Sequence, residues 1–346
     1  MRVIFVFNKL CAILCISFMI LLTVNANTIQ VSAQSAVVMD SYTKSVLFSK
    51  NSESKRAVAS TTKIMTCLIA CESNKLNETV TITRQMLEGC EGSLIYLAEG
   101  DIISLYDLVC GAMIASGNDA ANAISFYLGG DLHNFSEMMN NKAKSLGMLS
   151  TKFTTPSGLD KNGNHSTAYD MALLASYAAQ NNVLMQIASM KSAQIRINDA
   201  YQTIYNHNKL LSYSDDFIGL KTGYTKKAGR CLVSVYKYEG SVIICVTLND
   251  ADDWQDHKTL VNYAKKCYKD INRKDELSIN AVGSDKSKIK CVCEYSVKTL
   301  NDVEIKRFYY PFVYAPVNIG DRLGCEKIYI NGVEALTFDI IAQEEL

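Results

Sequence analysis

Apolar and polar residues alternate through "QSAVVMDSYTKSVLFSKN", with a break near Ser41 to Lys44, and this pattern predicts two short strands joined by a turn. From Ser60 to about Ser73 the period changes: Ile64, Cys67, Leu68 and Cys71 recur at helical spacing and make one apolar stripe. Helical patterns continue in "LYDLVCGAMIAS", "DAANAISFYL", "FSEMMNNKAKSLG" and "TAYDMALLASYAAQ", so the middle of the chain reads as mostly helix. After Gly219 the stretch "IGLKTGYTKKAGRCLVSVYKYEGSVIICVTLN" holds two apolar runs around Glu239-Gly240, a hairpin inside a buried sheet. A helix is predicted over "DHKTLVNYAKKCYKDI". The remainder is strand-like, with turns at Gly320-Asp321 and Asn331-Gly332.

The N-terminus has a different character. Arg2 and Lys9 precede an unbroken apolar run from Leu10 to Val24, and small residues follow in V-x-A form at Val24 to Ala26 and Val31 to Ala33. Basic, then apolar, then small is the order of a secretory leader, removed after Ala26 or Ala33; an uncleaved anchor helix is the alternative. The expected organisation is a leader over 1–33, a main domain over 34–272 and a β-rich domain over 273–346, with the working part outside the cytoplasm. The 346 residues are 48% hydrophobic and 20% charged, enough to bury a full core. Basic and acidic residues both number 35, which gives no footprint for nucleic acid. Ten cysteines follow residue 33 without a CxxC pair, and they read as buried thiols ahead of disulfides or a metal clamp.

SxxK occurs at Ser41, Ser52, Ser60, Ser234 and Ser287, so the motif alone says little. Only Ser60 opens a predicted helix. There Lys63 shares its face, with Cβ atoms roughly 5–6 Å apart, and the first-turn N–H groups favour negative charge. "IASGNDAAN" adds Ser116 and Asn118 at a helix-to-helix junction, and "GLKTGYT" adds Lys221, Thr222 and Gly223, the one KTG in the chain, on a strand edge. The ordered set SxxK, SxN, KTG is that of penicillin-binding proteins and β-lactamases.

On these motifs, and on "VVMDSYTKSVLFSKN", "TKFTTPSGLD", "HSTAYDMALLA", "NHNKLL" and "YAPVNIGDRLG", the sequence resembles the D-alanyl-D-alanine carboxypeptidases, the low-molecular-mass penicillin-binding proteins. The resemblance implies an α/β transpeptidase-like domain with an antiparallel sheet and a helical cluster, then a β-rich domain. It implies a peptidoglycan stem peptide ending in D-Ala-D-Ala as substrate and β-lactam antibiotics as inhibitors, with no cofactor and no metal. Thr61 and Thr62 fill the variable SxxK positions, and Tyr224 stands where some members have His. The end of the sequence, "VEALTFDIIAQEEL", lacks the amphipathic helix by which many relatives sit on the membrane, so attachment is left open.

In this reading Ser60 is the nucleophile and Lys63 its base, neutral because burial and the charge of Lys221 disfavour the ammonium form. Ser116 relays a proton to the departing amine. Asn118 hydrogen-bonds the substrate backbone and holds the loop, Lys221 and Thr222 take the terminal carboxylate, and Gly223 leaves room for a substrate strand. By resemblance the oxyanion lies between the N–H groups of Ser60 and Tyr224. His133, His165, His207 and His257 share no ligand spacing, Asp170 reads as a structural partner, and Asp250, Asp252, Asp253 and Asp256 around Trp254 read as a solvated, helix-capping loop. The competing readings are a serine β-lactamase, a DD-endopeptidase and a wall-binding module without activity.

Overall fold

The computed structural model describes residues 29–159, 163–300, 303–330 and 332–346. In chain order the elements are β1 (Ser35–Asp40), β2 (Val46–Lys50), a 3₁₀ turn (Ala59–Thr62) running into α1 (Lys63–Glu72), β3 (Thr79–Thr81), α2 (Arg84–Leu87), β4 (Ile102–Ser104), α3 (Leu105–Met113) and α4 (Asn118–Gly129). Then come α5 (Leu132–Ser145), α6 (Ala168–Ala178), α7 (Asn182–Ser189), β5 (Ser192–Ile197), β6 (Ala200–Tyr205), β7 (Phe217–Thr225), β8 (Gly229–Tyr238), β9 (Ser241–Leu248) and α8 (Asp253–Lys265). Six strands follow: β10 (Tyr268–Val282), β11 (Lys288–Leu300), β12 (Val303–Tyr309), β13 (Phe312–Tyr314), β14 (Arg322–Ile330) and β15 (Val333–Ala342).

All six residues of β1 are buried, so this strand needs cover on both faces. It lies inside an antiparallel sheet of order β2-β1-β9-β8-β7, with α8 packed on one face and α6 and α7 on the other. Helix α1 is buried nearly all round, at Ile64, Met65, Thr66, Cys67, Leu68 and Ala70, where the pattern predicted a single stripe. It is the central helix of the cluster, touching α3, α4, α6 and the sheet, and such a helix is apolar on every side. Ser104, Asp131, Thr167 and Asn181 cap α3, α5, α6 and α7 by accepting the backbone N–H three residues on.

A small sheet of order β3-β4-β5-β6 crosses the region that the pattern predicted to be helical. The last sheet has the order β12-β14-β15-β11-β10-β13. Its first long strand begins at Tyr268, ahead of residue 273, and pairs with β11 from that residue on. Inside it, Glu326 is fully buried and is bonded by Arg307 and by the Tyr295 hydroxyl at 2.9 Å. The predicted leader lies outside the described residues except for its last five; the folded body runs from Ser32 to Leu346, and Ala33 within it is fully buried. No helix among the described residues is long and apolar enough to cross a membrane. Cys67, Cys110, Cys245, Cys291 and Cys293 are buried thiols.

Candidate active site

A cleft of about 600 Å³ brings the three motifs together: Ser60 from the 3₁₀ turn, Ser116 and Asn118 from the α3–α4 junction, and Thr222, Gly223 and Tyr224 from β7 all line it. Ser60 stands one turn earlier than an α-helix start, in the 3₁₀ segment, and Lys63 is the first α-helical residue. The turn is held in an unusual conformation. Ala59, just before Ser60, has φ +47°, and Ser116 has φ +61°, both in the left-handed region that costs a residue with a Cβ of order 1–3 kcal/mol.

The Lys63 amine has no contact with solvent, its residue being 0% exposed. It lies 2.9 Å from Ser60 Oγ, 2.6 Å from Asn118 Oδ1 and 3.0 Å from the Ser157 carbonyl. The amide oxygen and the carbonyl only accept. A neutral amine has two N–H groups for those two oxygens and one lone pair left over, which then faces the Ser60 hydroxyl. Burial, and after it the charge of Lys221, hold the Lys63 pKa well below the ordinary lysine value. Lys221 is 1% exposed, donates to the Thr222 carbonyl at 3.0 Å and is lowered by burial to about 8. Both shifts favour the neutral amine, that of Lys63 by burial and the charge of Lys221 and that of Lys221 by burial.

The structure adds to two of the expected roles. The amide of Asn118 is committed to the protein at both ends, Oδ1 on Lys63 and Nδ2 on the Glu91 carbonyl. Its first task is to orient the amine. Gly223 lines the cleft, but its missing Cβ faces the nucleophile's backbone, 2.9 Å from Ser60 N and 3.2 Å from the Ala59 Cβ. The glycine lets β7 approach the turn, and a side chain there would press on the Ser60 N–H. The aspartate loop differs as well: Asp250, Asp253 and Asp256 are buried, because each has a partner. Asp252 occupies the helix N-cap position without a side-chain cap bond. Asp170 accepts from Ser150 N and Thr151 Oγ1, a structural tie as expected. His257 is fully buried, bonded to Ser234 and Thr247, and its pKa is driven down to about 3 by burial.

Several residues of the site carry no sequence signature. Asp119 accepts from Ile95 N and Leu97 N and so fixes the loop that carries Gly92 and Ser93 into the cleft. Gly158 has φ +82°, and a Cβ on it would stand 1.8 Å from the Ala59 carbonyl oxygen. Gly158→Ala is expected to destabilise the fold by about 2 kcal/mol or more and to push Ala59–Ser60 and the Ser157 carbonyl apart. Thermal unfolding reads the first effect; an unchanged midpoint would rule out this close packing. On the far wall Arg230, paired in register with Tyr224, is bonded to Asp253 and lies over the Trp254 ring at 5.5 Å, and all three line the cleft with His207.

A family model described as D-alanyl-D-alanine carboxypeptidase, of the S11 peptidases, matches residues 22–252. The carboxypeptidase DacF of Bacillus subtilis is 36% identical over 211 residues, 59% of this chain and 54% of that protein. DacC of Escherichia coli is 36% identical over 236 residues, 64% of this chain and 58% of that protein. The chain thus spans little more than half the length of these relatives. Among solved structures, the D-alanyl-D-alanine carboxypeptidase DacD from Francisella tularensis superposes with a TM-score of 0.65 at 25% identity, over 92% of this chain and 94% of that one. A Streptomyces K15 DD-transpeptidase gives 0.64 at 27% identity, over 68% of this chain and 98% of that one. With its α/β domain followed by a β-rich one, the chain belongs to the D-alanyl-D-alanine carboxypeptidase family.

Proposed function

We propose that the protein is a serine-type D-Ala-D-Ala carboxypeptidase that trims the terminal D-alanine from peptidoglycan stem peptides outside the cytoplasm, after export by its leader. The observation that carries this reading is the buried Lys63 amine 2.9 Å from Ser60 Oγ. Ser60 Oγ attacks the carbonyl carbon of the penultimate D-alanine while its proton passes to Lys63. The C–N bond then breaks, and the leaving amine takes the proton held on Lys63, passed through Ser116, which lines the same cleft. Water attacks the resulting ester, the neutral Lys63 accepts the water's proton and returns it to Ser60 Oγ as the C–O bond breaks, and the shortened peptide is released as an acid. The N–H groups of Ser60 and Tyr224 hold the oxyanion in both steps. A β-lactam acylates the same hydroxyl and leaves slowly.

The terminal carboxylate is drawn to Lys221 and Thr222, and Arg230 adds to them. Lys221 is buried, whereas the Arg230 side chain is 41% exposed on the cleft wall and held in place by Asp253. Replacing Arg230 with Gln is expected to raise KM for a peptide acid by about 10- to 100-fold, the worth of one hydrogen bond to a charged group, with kcat little changed. The same peptide with a C-terminal carboxamide is expected to lose far less; equal losses on the two would remove Arg230 from carboxylate recognition. The function itself is tested by incubating the protein with a peptide ending in D-Ala-D-Ala and assaying free D-alanine. Rapid turnover of nitrocefin instead would make it a β-lactamase, cleavage of cross-links in whole sacculi without D-alanine release would make it an endopeptidase, and neither activity nor penicillin uptake would leave a binding module.

A further inference from the structure

The chain enters the folded body beside the wall of the cleft. Ser32 Oγ lies 2.6 Å from Asp250 Oδ1 and 3.0 Å from Asp256 Oδ2, and accepts from Asp252 N at 3.0 Å; the Ala33 N–H donates to Asp256 Oδ2 at 3.0 Å. Two residues of the N-terminal segment thus grip Asp250, Asp252 and Asp256. Between those anchors lie Asp253 and Trp254, among others, and these two fix Arg230 and line the cleft with Ser60. A hydroxyl has one proton and cannot donate to two carboxylates. The Ser32 hydroxyl therefore donates to one of the two carboxylates at a time, and burial, with the charge of Asp256 adding to it, raises the Asp250 carboxyl to about 6. Without Ser32 and Ala33, Asp250 and Asp256 would face each other with fewer donors, two acids against one another at the root of the cleft wall.

We infer that Ser32 and Ala33 are positioning residues of the working enzyme, a clasp that sets the Asp253–Trp254 wall, and that the leader is therefore removed after Ala26 and not after Ala33. The V-x-A signal at Val31 to Ala33 would cut the clasp away; the one at Val24 to Ala26 leaves it on the mature chain. The inference rests on the proposed export and hydrolysis, but its main readout does not. Trp254 is the single tryptophan of the chain, so its emission reports the wall directly.

The full chain is exported from a bacterial host and the product weighed by intact mass spectrometry. A start at Asn27 is expected; a start at Gln34 or retention of Met1 overturns the processing assignment. Proteins starting at Asn27 and at Gln34, and the Ser32→Ala variant of the former, are then compared. Loss of the clasp is expected to increase acrylamide quenching of Trp254 and shift its emission to the red, while each folded chain still takes up one penicillin on Ser60. For D-alanine release, KM is expected to rise about tenfold with kcat nearly constant, the pattern of lost binding. Unchanged Trp254 fluorescence in both clasp-less forms would sink the clasp. Failure of all three proteins to release D-alanine, with the fluorescence change present, would instead sink the proposed activity and leave the clasp standing.

Discussion

Ser60→Ala is expected to abolish both D-alanine release and covalent uptake of penicillin while leaving the fold intact. In the proposed mechanism the hydroxyl oxygen forms the new bond, so no neighbouring group takes over its part. Ser60 is partly exposed at the cleft, and its side chain is in contact with the Lys63 amine at 2.9 Å. Removing it deletes a partner of Lys63 but leaves the amine bonded to Asn118 and Ser157. A methyl in place of the hydroxymethyl opens no sizeable cavity in a partly exposed position. The expected loss in kcat/KM is at least roughly 10⁴-fold, as for removal of the nucleophile from other serine hydrolases. Intact mass after penicillin treatment shows the missing adduct, and circular dichroism shows the retained fold. Adduct formation on the variant at the parent rate would place the nucleophile elsewhere and dissolve the mechanism.

The order of the motifs alone makes this much of the site legible, because catalytic side chains are residue types and residue types are what a sequence displays. Lys63 is expected from the motifs to be buried beside Lys221, and the fold buries both. The parts that are not legible are of other kinds. The third contact of Lys63 is the Ser157 carbonyl, a backbone atom that any residue supplies. The tight approach of Gly158 to Ala59 joins segments about a hundred residues apart, and a Gly after Ser157 announces a turn without saying what it meets. The Arg230, Asp253 and Trp254 wall is assembled from β8 and the start of α8, with no spacing to betray it. The acidic loop reads as solvated because four aspartates in seven residues suggest surface; three are buried because Ser32, Ala33, Arg230 and backbone N–H groups supply donors from elsewhere in the chain. On the fold side, the small sheet leaves no mark in the pattern because β3 and β4 are three residues each, too short for a period of two to stand out against neighbouring helices.

Lys63→Met is expected to remove catalysis almost as fully as loss of the serine, for a different reason. Methionine fills a similar volume in the buried slot but offers no lone pair, so the Ser60 hydroxyl keeps its proton and remains a poor nucleophile. A general base contributes about 10²–10⁴-fold, and because base and nucleophile act as one unit the loss is expected at the upper end of that range. The parent enzyme should show the corresponding pH dependence. In the proposed mechanism Lys63 works as the neutral amine, so kcat/KM is expected to rise with pH through its depressed pKa and to reach its plateau below the ordinary lysine range. In the proposed mechanism Lys221 works as the cation, so kcat/KM is expected to fall again as pH passes about 8 and its positive charge is lost. In Lys63→Met the residual rate should no longer follow the ascending limb, while the descending limb near 8 persists. Steady-state rates for D-alanine release across pH 5 to 10, with the penicillin acylation rate followed in parallel, separate the two limbs. An ascending limb that survives unchanged in Lys63→Met would assign the base to another group, with His207 on the cleft wall the first to examine.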